Sequence, residues 1–158
     1  MPNYTKKSNL ISINSNLISD TDKDLLTALE IFITQYKLAK QTKHIPLKLF
    51  SNKKLGVLEV VVKYLKENTP LSYSEIAKIL NRDQRTIWTT YNKAVKKHKE
   101  KFKIIGEEFI NIESFSNTKK SPLQILINEL EEKGYSLKEI AKITNRSYKN
   151  IWMTKKRK

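Results

Sequence analysis

Ser72-Tyr-Ser-Glu75-Ile-Ala-Lys-Ile-Leu-Asn-Arg-Asp-Gln-Arg-Thr-Ile-Trp88 returns later in the chain as Ser136-Leu-Lys-Glu139-Ile-Ala-Lys-Ile-Thr-Asn-Arg-Ser-Tyr-Lys-Asn-Ile-Trp152. Eleven positions agree at an offset of 64: Ser72, Glu75, Ile76, Ala77, Lys78, Ile79, Asn81, Arg82, Ile87, Trp88 and Thr90. Upstream the agreement continues at an offset of 65. There Ile45 pairs with Ile110, Phe50-Ser-Asn52 with Phe115-Ser-Asn117, Lys54 with Lys119, Leu58 with Leu123 and Leu65 with Leu130. One residue is lost where Thr69-Pro70 faces Gly134. A pattern that recurs in register within one chain marks a structural repeat.

Within each repeat the pattern predicts three helices. The first spans about 53–67 or 119–133. Leu55, Leu58, Val62 and Leu65 supply its apolar face in the first copy, and Leu123, Leu126, Ile127 and Leu130 in the second. The second helix starts at Ser72 or Ser136, each followed three residues later by Glu, which is the capping-box pattern. It ends at Asn81 or Asn145. The third starts at the N-cap residue Asp83 or Ser147 and carries Ile87-Trp88 or Ile151-Trp152. Each repeat is about 49 residues, near the lower limit for a self-sufficient core.

Outside the repeats the chain is simpler. Residues 1–19 have no clear period and read as a flexible arm. Residues 20–44 predict an amphipathic helix, with Asp20 as N-cap and Leu25, Leu29, Phe32, Tyr36 and Ala39 on one face. That face either packs on the first repeat or joins two copies in a homodimer through residues 21–42. Ile45-Pro46 opens an extended stretch to Phe50. Residues 102–109 link the repeats, and Phe102 to Ile110 reads as a short β-hairpin turning near Gly106. The expected architecture is therefore mainly α. The arm and the N-terminal helix precede a first repeat over 45–101, and the linker leads to a second repeat over 110–158.

Charge narrows the function. The chain carries 31 Lys+Arg against 16 Asp+Glu, a net charge of +15. Residues 45–103 hold fourteen Lys/Arg and five acids, and residues 110–158 hold eleven and five. The positive charge thus sits on the repeats, the electrostatic footprint of a nucleic-acid binder. Nothing reads as catalytic. Gly56, Gly106 and Gly134 are the only glycines, so there is no glycine-rich phosphate loop, and three of the four Asp cluster at Asp20, Asp22 and Asp24. His44 and His98 stand apart and cysteine is absent, so neither metal nor cofactor is expected. The lack of cysteine, of a signal-peptide core and of a long apolar run fits a cytoplasmic, nucleoid-associated protein with no membrane contact.

The motif Ser-x-x-Glu-Ile-Ala-x-x-Leu-Asn-Arg-(Asp/Ser)-x-x-x-Ile resembles the helix-turn-helix of DNA-binding proteins. Its nearest likenesses are region 4 of sigma-70-type transcription factors and the N-terminal DNA-binding domains of some transposases. The resemblance covers about two-thirds of the chain. Ala77 and Ala141 stand where the two helices cross. Ile76, Leu80 and Ile87 form a small core, matched by Ile140 and Ile151, with Thr144 in place of Leu80. Asn81 and Asn145 replace the usual glycine of the turn, since Asn is the next most tolerant of a left-handed backbone. Arg82 and Arg146 stand where an apolar residue is usual.

The resemblance implies that the third helix enters the major groove. The base-contacting positions would be Gln84, Arg85, Thr89 and Asn92 in the first copy and Tyr148, Lys149, Met153 and Lys156 in the second. Arg suits guanine, and Gln or Asn suits adenine. Lys54, Lys78, Arg82, Lys93, Lys96 and Lys97 would meet phosphates, as would Lys119, Lys142, Arg146, Arg157 and Lys158. Trp88 and Trp152 either complete a small core or lie at the DNA face.

The expected function is sequence-specific binding of double-stranded DNA, most simply as a transcription regulator, by a chain that is not an enzyme. A DNA-organising, partition or recombination accessory protein of a mobile element uses the same chemistry. A sigma-like factor would also touch RNA polymerase. A protein- or RNA-interaction module is the reading of another class. Two repeats in one chain lead one to expect that a monomer covers an asymmetric site.

Overall fold

A computed structural model describes residues 20–103, 106 and 108–157. The expected arm at 1–19 and the tail residue Lys158 lie outside them. The chain divides into two compact units, Met1–Tyr36 and Lys37–Lys158. The described residues form seven α-helices and one two-stranded sheet, so the chain is mainly α.

Helix α1 runs Asp20–Lys43. Asp20 is its first helical residue rather than a flanking cap. Leu25, Leu29 and Phe32 are exposed, as are Leu26, Ile31 and Ile33. The side chains of Tyr36 and Ala39, expected on the same face, lie outside the described set.

Both repeats belong to the second unit and follow the same order. Strand β1 (His44–Pro46) leads into a 3-10 turn at Leu47–Ser51, then α2 (Val57–Asn68), α3 (Tyr73–Ile79) and α4 (Gln84–Lys97). Strand β2 (Phe109–Asn111) leads into a 3-10 turn at Ile112–Ser116, then α5 (Pro122–Glu132), α6 (Leu137–Ile143) and α7 (Tyr148–Lys155). The extended stretch expected up to Phe50 therefore stops at Pro46. It gives way to a turn that buries Leu47 and Phe50 together.

The first helix of each repeat starts later than its apolar pattern suggested. Asn52 Oδ1 accepts the Lys54 backbone N–H at 2.9 Å, and Asn117 Oδ1 accepts that of Lys119 at 3.0 Å. These side-chain turns compete with helix formation. The helices begin only after Gly56 and Ser121. Ser121 Oγ accepts the Gln124 N–H, and Pro122 follows where its missing N–H costs nothing. Leu55 is buried from the preceding turn rather than from the helix.

Helix α2 buries far more than one face. Val57, Val60, Val61, Val62, Tyr64 and Leu65 are all inside, because α2 lies between α4 of its own repeat and α5 of the other. Lys63 is fully buried among them. Its ammonium pairs with Glu67 one turn on and lies 5.4 Å from the centre of the Phe102 ring.

Residues 104, 105 and 107 of the hairpin expected between the repeats lie outside the described residues, and among those described Phe109 and Ile110 pair elsewhere. Strand β2 pairs with β1 from 65 residues upstream, antiparallel, with Ile45 opposite Ile110. The reason is burial. Ile45 and Ile110 are both 0% exposed in this arrangement, whereas an isolated hairpin would leave its apolar residues wet.

The pairing carries a symmetry. Ile45 and Ile110 are equivalent positions of the repeat, so this pair maps onto itself. The pair His44–Asn111 maps onto Phe109–Pro46, which is the other pair of the ladder. Phe50 stacks on its equivalent Phe115, with ring centres 6.1 Å apart. Helix α2 packs on its equivalent α5. Helix α3 meets the second 3-10 turn and α6 meets the first. These reciprocal contacts define an approximate two-fold axis through the sheet, around which the two repeats share one core.

Candidate nucleic-acid interface

Each repeat presents a short helix, a tight turn and a second helix, built by the same local chemistry. Ser72 Oγ accepts the Glu75 N–H at 3.3 Å, while Glu75 Oε2 accepts the Ser72 N–H at 2.7 Å. Ser136 and Glu139 repeat the exchange at 3.3 and 2.8 Å. Both carboxyls are held below their usual range, first by the serine hydroxyl and then by the serine N–H. After α3 the chain turns at Asn81 with φ of 49°, and after α6 at Asn145 with φ of 53°. The Arg82 N–H then reaches back to the Ala77 carbonyl, and the Arg146 N–H to that of Ala141, both at 2.9 Å. Asp83 Oδ1 accepts the Arg85 N–H at 2.7 Å, and Ser147 Oγ that of Asn150 at 3.3 Å, which starts α4 and α7.

Behind the turns lies the expected core. Ile76, Leu80 and Ile87 are fully buried in the first repeat, and Ile140 and Ile151 in the second, with Ala77 and Ala141 nearly so. Thr144, in the place of Leu80, is also fully buried. Its hydroxyl donates to the Ile140 carbonyl at 2.6 Å, which satisfies the one polar atom the substitution brings.

The outward stripe of α4 carries Gln84, Arg85 and Trp88, all exposed. That of α7 carries Tyr148, Lys149, Trp152, Met153 and Lys156, also exposed. Trp88 is 54% and Trp152 37% accessible, so neither completes a core. Trp88 borders a shallow hollow with Tyr73, Asp83, Gln84 and Arg85. Lys156 Nζ sits 4.2 Å from the Trp152 ring centre. Thr89 is only half exposed, and the Asn92 amide nitrogen is shielded from solvent, so Asn92 lies off the stripe. Tyr91 is half-buried against the core, with its ring 5.9 Å from that of Tyr73.

The expected phosphate contacts divide into two sets. Lys54, Lys78, Lys93, Lys96, Lys119, Lys142 and Arg157 are exposed. Lys97 is exposed too, but its ammonium is held by both Glu59 oxygens, at 2.7 and 2.8 Å. Arg146 does structural work: its Nη2 donates to the Leu55 carbonyl of the other repeat at 3.1 Å. Burial pushes its pKa down, and its Nε, like that of Arg82, is shielded from solvent. Arg146 thus serves the joint between repeats, a role that only the tertiary contact reveals.

A cleft lies between the repeats, on the two-fold axis. Leu58 and Leu123, Thr90 and Thr154, and Lys93 and Arg157 line it as equivalent pairs, with Arg146 and Asn150. Helices α4 and α7 therefore border the same cleft.

Among the described residues no three His, Asp or Glu side chains lie close enough to hold a metal ion, and no helix is long and apolar enough to cross a membrane. The chain matches no protein-family model, no curated protein and no solved structure, so the functional reading rests on its own residues.

Proposed function

We propose that this chain is a non-enzymatic, sequence-specific binder of double-stranded DNA that acts as a transcription regulator through two helix-turn-helix repeats. One observation carries the reading. The same helix, left-handed Asn turn and capped helix occur twice, and each second helix keeps a solvent-facing stripe of hydrogen-bonding and aromatic side chains beside exposed lysines. A tryptophan left in water at the same place in both repeats is costly unless a partner covers it. Thymine methyls and sugar faces offer such a cover, and Arg85 with Gln84 offers paired hydrogen bonds to purine edges. Exposed lysines around the stripes supply the phosphate term.

The further partners belong to the same proposal. The exposed Leu25, Leu29 and Phe32 of α1 support a homodimer through residues 21–42. A contact with RNA polymerase and a nucleoid location follow only from the sigma-like resemblance.

The test is fluorescence anisotropy with a selected duplex and a random one across a salt series. With six to ten phosphates engaged, the log–log slope should be about −5 to −9. Arg85→Ala should weaken the selected site by about 1–3 kcal/mol and relax one base position. Equal loss on random DNA would sink the direct-readout role of Arg85. No duplex binding at all would sink the DNA reading.

A further inference from the structure

We infer that a single chain holds two separate DNA duplexes at once, one on the outward stripe of each repeat. This rests on the DNA-binding reading above and names its partner as a pair of duplex segments that the chain bridges.

Successive residues of an α-helix are turned by about 100° around its axis. On α4, Gln84 and Arg85 stand four and three residues before Trp88, on the same side of the helix. Thr90 and Lys93, which line the cleft, stand two and five residues beyond Trp88 and so lie about 160° and 140° around the helix from it. On α7, Asn150 and Thr154 line the same cleft, each two residues from Trp152 and about 160° around the helix from it. Each stripe therefore occupies the face of its helix opposite the cleft.

The cleft lies on the two-fold axis, with Thr90 and Thr154 as an equivalent pair. A two-fold axis reverses every direction perpendicular to itself. The cleft faces of α4 and α7 look toward each other, so the faces behind them look away from each other. The joint fixes that relation: the β1–β2 ladder maps onto itself, Phe50 stacks on Phe115, and Arg146 bonds across to Leu55. Two stripes turned apart on a fixed frame do not lie against one short duplex, because DNA stays stiff over about 150 base pairs.

Each repeat is equipped to hold a duplex by itself. Trp88 and Trp152 are both exposed, and so are the equivalent pairs Lys54 and Lys119, and Lys78 and Lys142. The two ends differ in what they ask for. Arg85 with Gln84 should select purines through paired hydrogen bonds. Lys149, in the place of Arg85, and Lys156 should lean on the backbone. The chain thus ties one chosen site to a second segment of freer sequence.

The experiment is a bridging assay with the full chain. One short duplex, enriched from a random pool, is fixed to beads, and a second copy carrying a fluorophore is left free. Native mass spectrometry counts the chains and duplexes in the complex. The expected result is capture of the free duplex by complexes of one chain and two duplexes. Arg85→Ala with Trp88→Ala, or Lys149→Ala with Trp152→Ala, should each cut capture more than about tenfold, since one lost base contact alone costs about that factor. Each variant keeps the other stripe and should still bind one duplex. All four side chains are exposed, so thermal unfolding should change little. Two chains joined through residues 21–42 would bridge with one stripe each, and would go on bridging when either stripe is lost. Capture that survives both variants, or complexes that always hold two chains, would overturn the inference. Duplex binding without capture would also overturn it and leave the DNA reading standing. No duplex binding at all would mean that the DNA reading itself has failed, and the inference with it.

Discussion

Replacing Phe115 by Ala tests whether the two repeats are one folding unit. Phe115 is 0% and Phe50 1% exposed, and their rings stack across the two-fold axis. Removing a fully buried benzyl group costs about 3–5 kcal/mol, because the lost transfer energy is joined by a cavity. The stacked pair adds about 0.5–1.5 kcal/mol of its own, which argues for the upper half of that range. Folded domains of this size hold only about 5–15 kcal/mol in total. The midpoint of thermal unfolding should therefore fall by roughly 10–20 °C. Differential scanning calorimetry would follow it, with agreement of calorimetric and van't Hoff enthalpies as the sign of one cooperative transition. Both repeats should melt together in the parent and in the variant. Phe32→Ala on α1 is the control, since Phe32 is 66% exposed and exposed changes usually stay within about 0.5 kcal/mol. Two separate transitions, with the first repeat melting at its original temperature in Phe115→Ala, would refute the shared core.

The turns and the caps make further predictions. Asn81→Ala should destabilise by about 1–2 kcal/mol, because Ala gains nothing in a left-handed backbone, whereas Asn81→Gly should leave stability nearly unchanged. Chemical denaturation would read both, and equal effects would mean that the positive φ is not what matters there. The two capping boxes give a pH dependence. The carboxyls of Glu75 and Glu139 are lowered from their ordinary 4.5, so their contribution is present above that value and is lost as pH falls through the lower folded value. Acid titration of stability should lose part of its slope below pH 4.5 in the Glu75→Gln, Glu139→Gln double variant. An unchanged slope would detach the caps from acid sensitivity.

Much of the fold can be read from adjacent residues. The capping boxes at Ser72 and Ser136, the caps at Asp83 and Ser147 and the left-handed Asn81 and Asn145 are all set by groups within four positions of each other. Local hydrogen bonds and backbone sterics decide them wherever the segment sits, so the sequence alone determines them. The small cores around Ile76 and Ile140 follow from the same short-range periodicity. Exposure is harder. Trp88 and Trp152 carry the same pattern whether they face a neighbour or water, and only the packed structure left them outside. The stripe of α4 is narrower than its periodicity suggests, because Asn92 turns into a position already shielded.

What the tertiary structure decided is how the repeats meet. A run such as Val60-Val61-Val62 announces that it is buried but not by what. Phe109–Asn111 could close a hairpin with its own neighbours or reach 65 residues back to His44–Pro46, and no local rule separates the two. The long-range pairing prevails because it buries Ile45, Ile110, Phe50 and Phe115 at once, and a repeat of about 49 residues cannot bury that much apolar surface alone. The sequence by itself thus determined two copies of one helical unit with their turns, caps and small cores. Only the shared core, which exists when both copies are present in three dimensions, determined that they face each other across a two-fold axis.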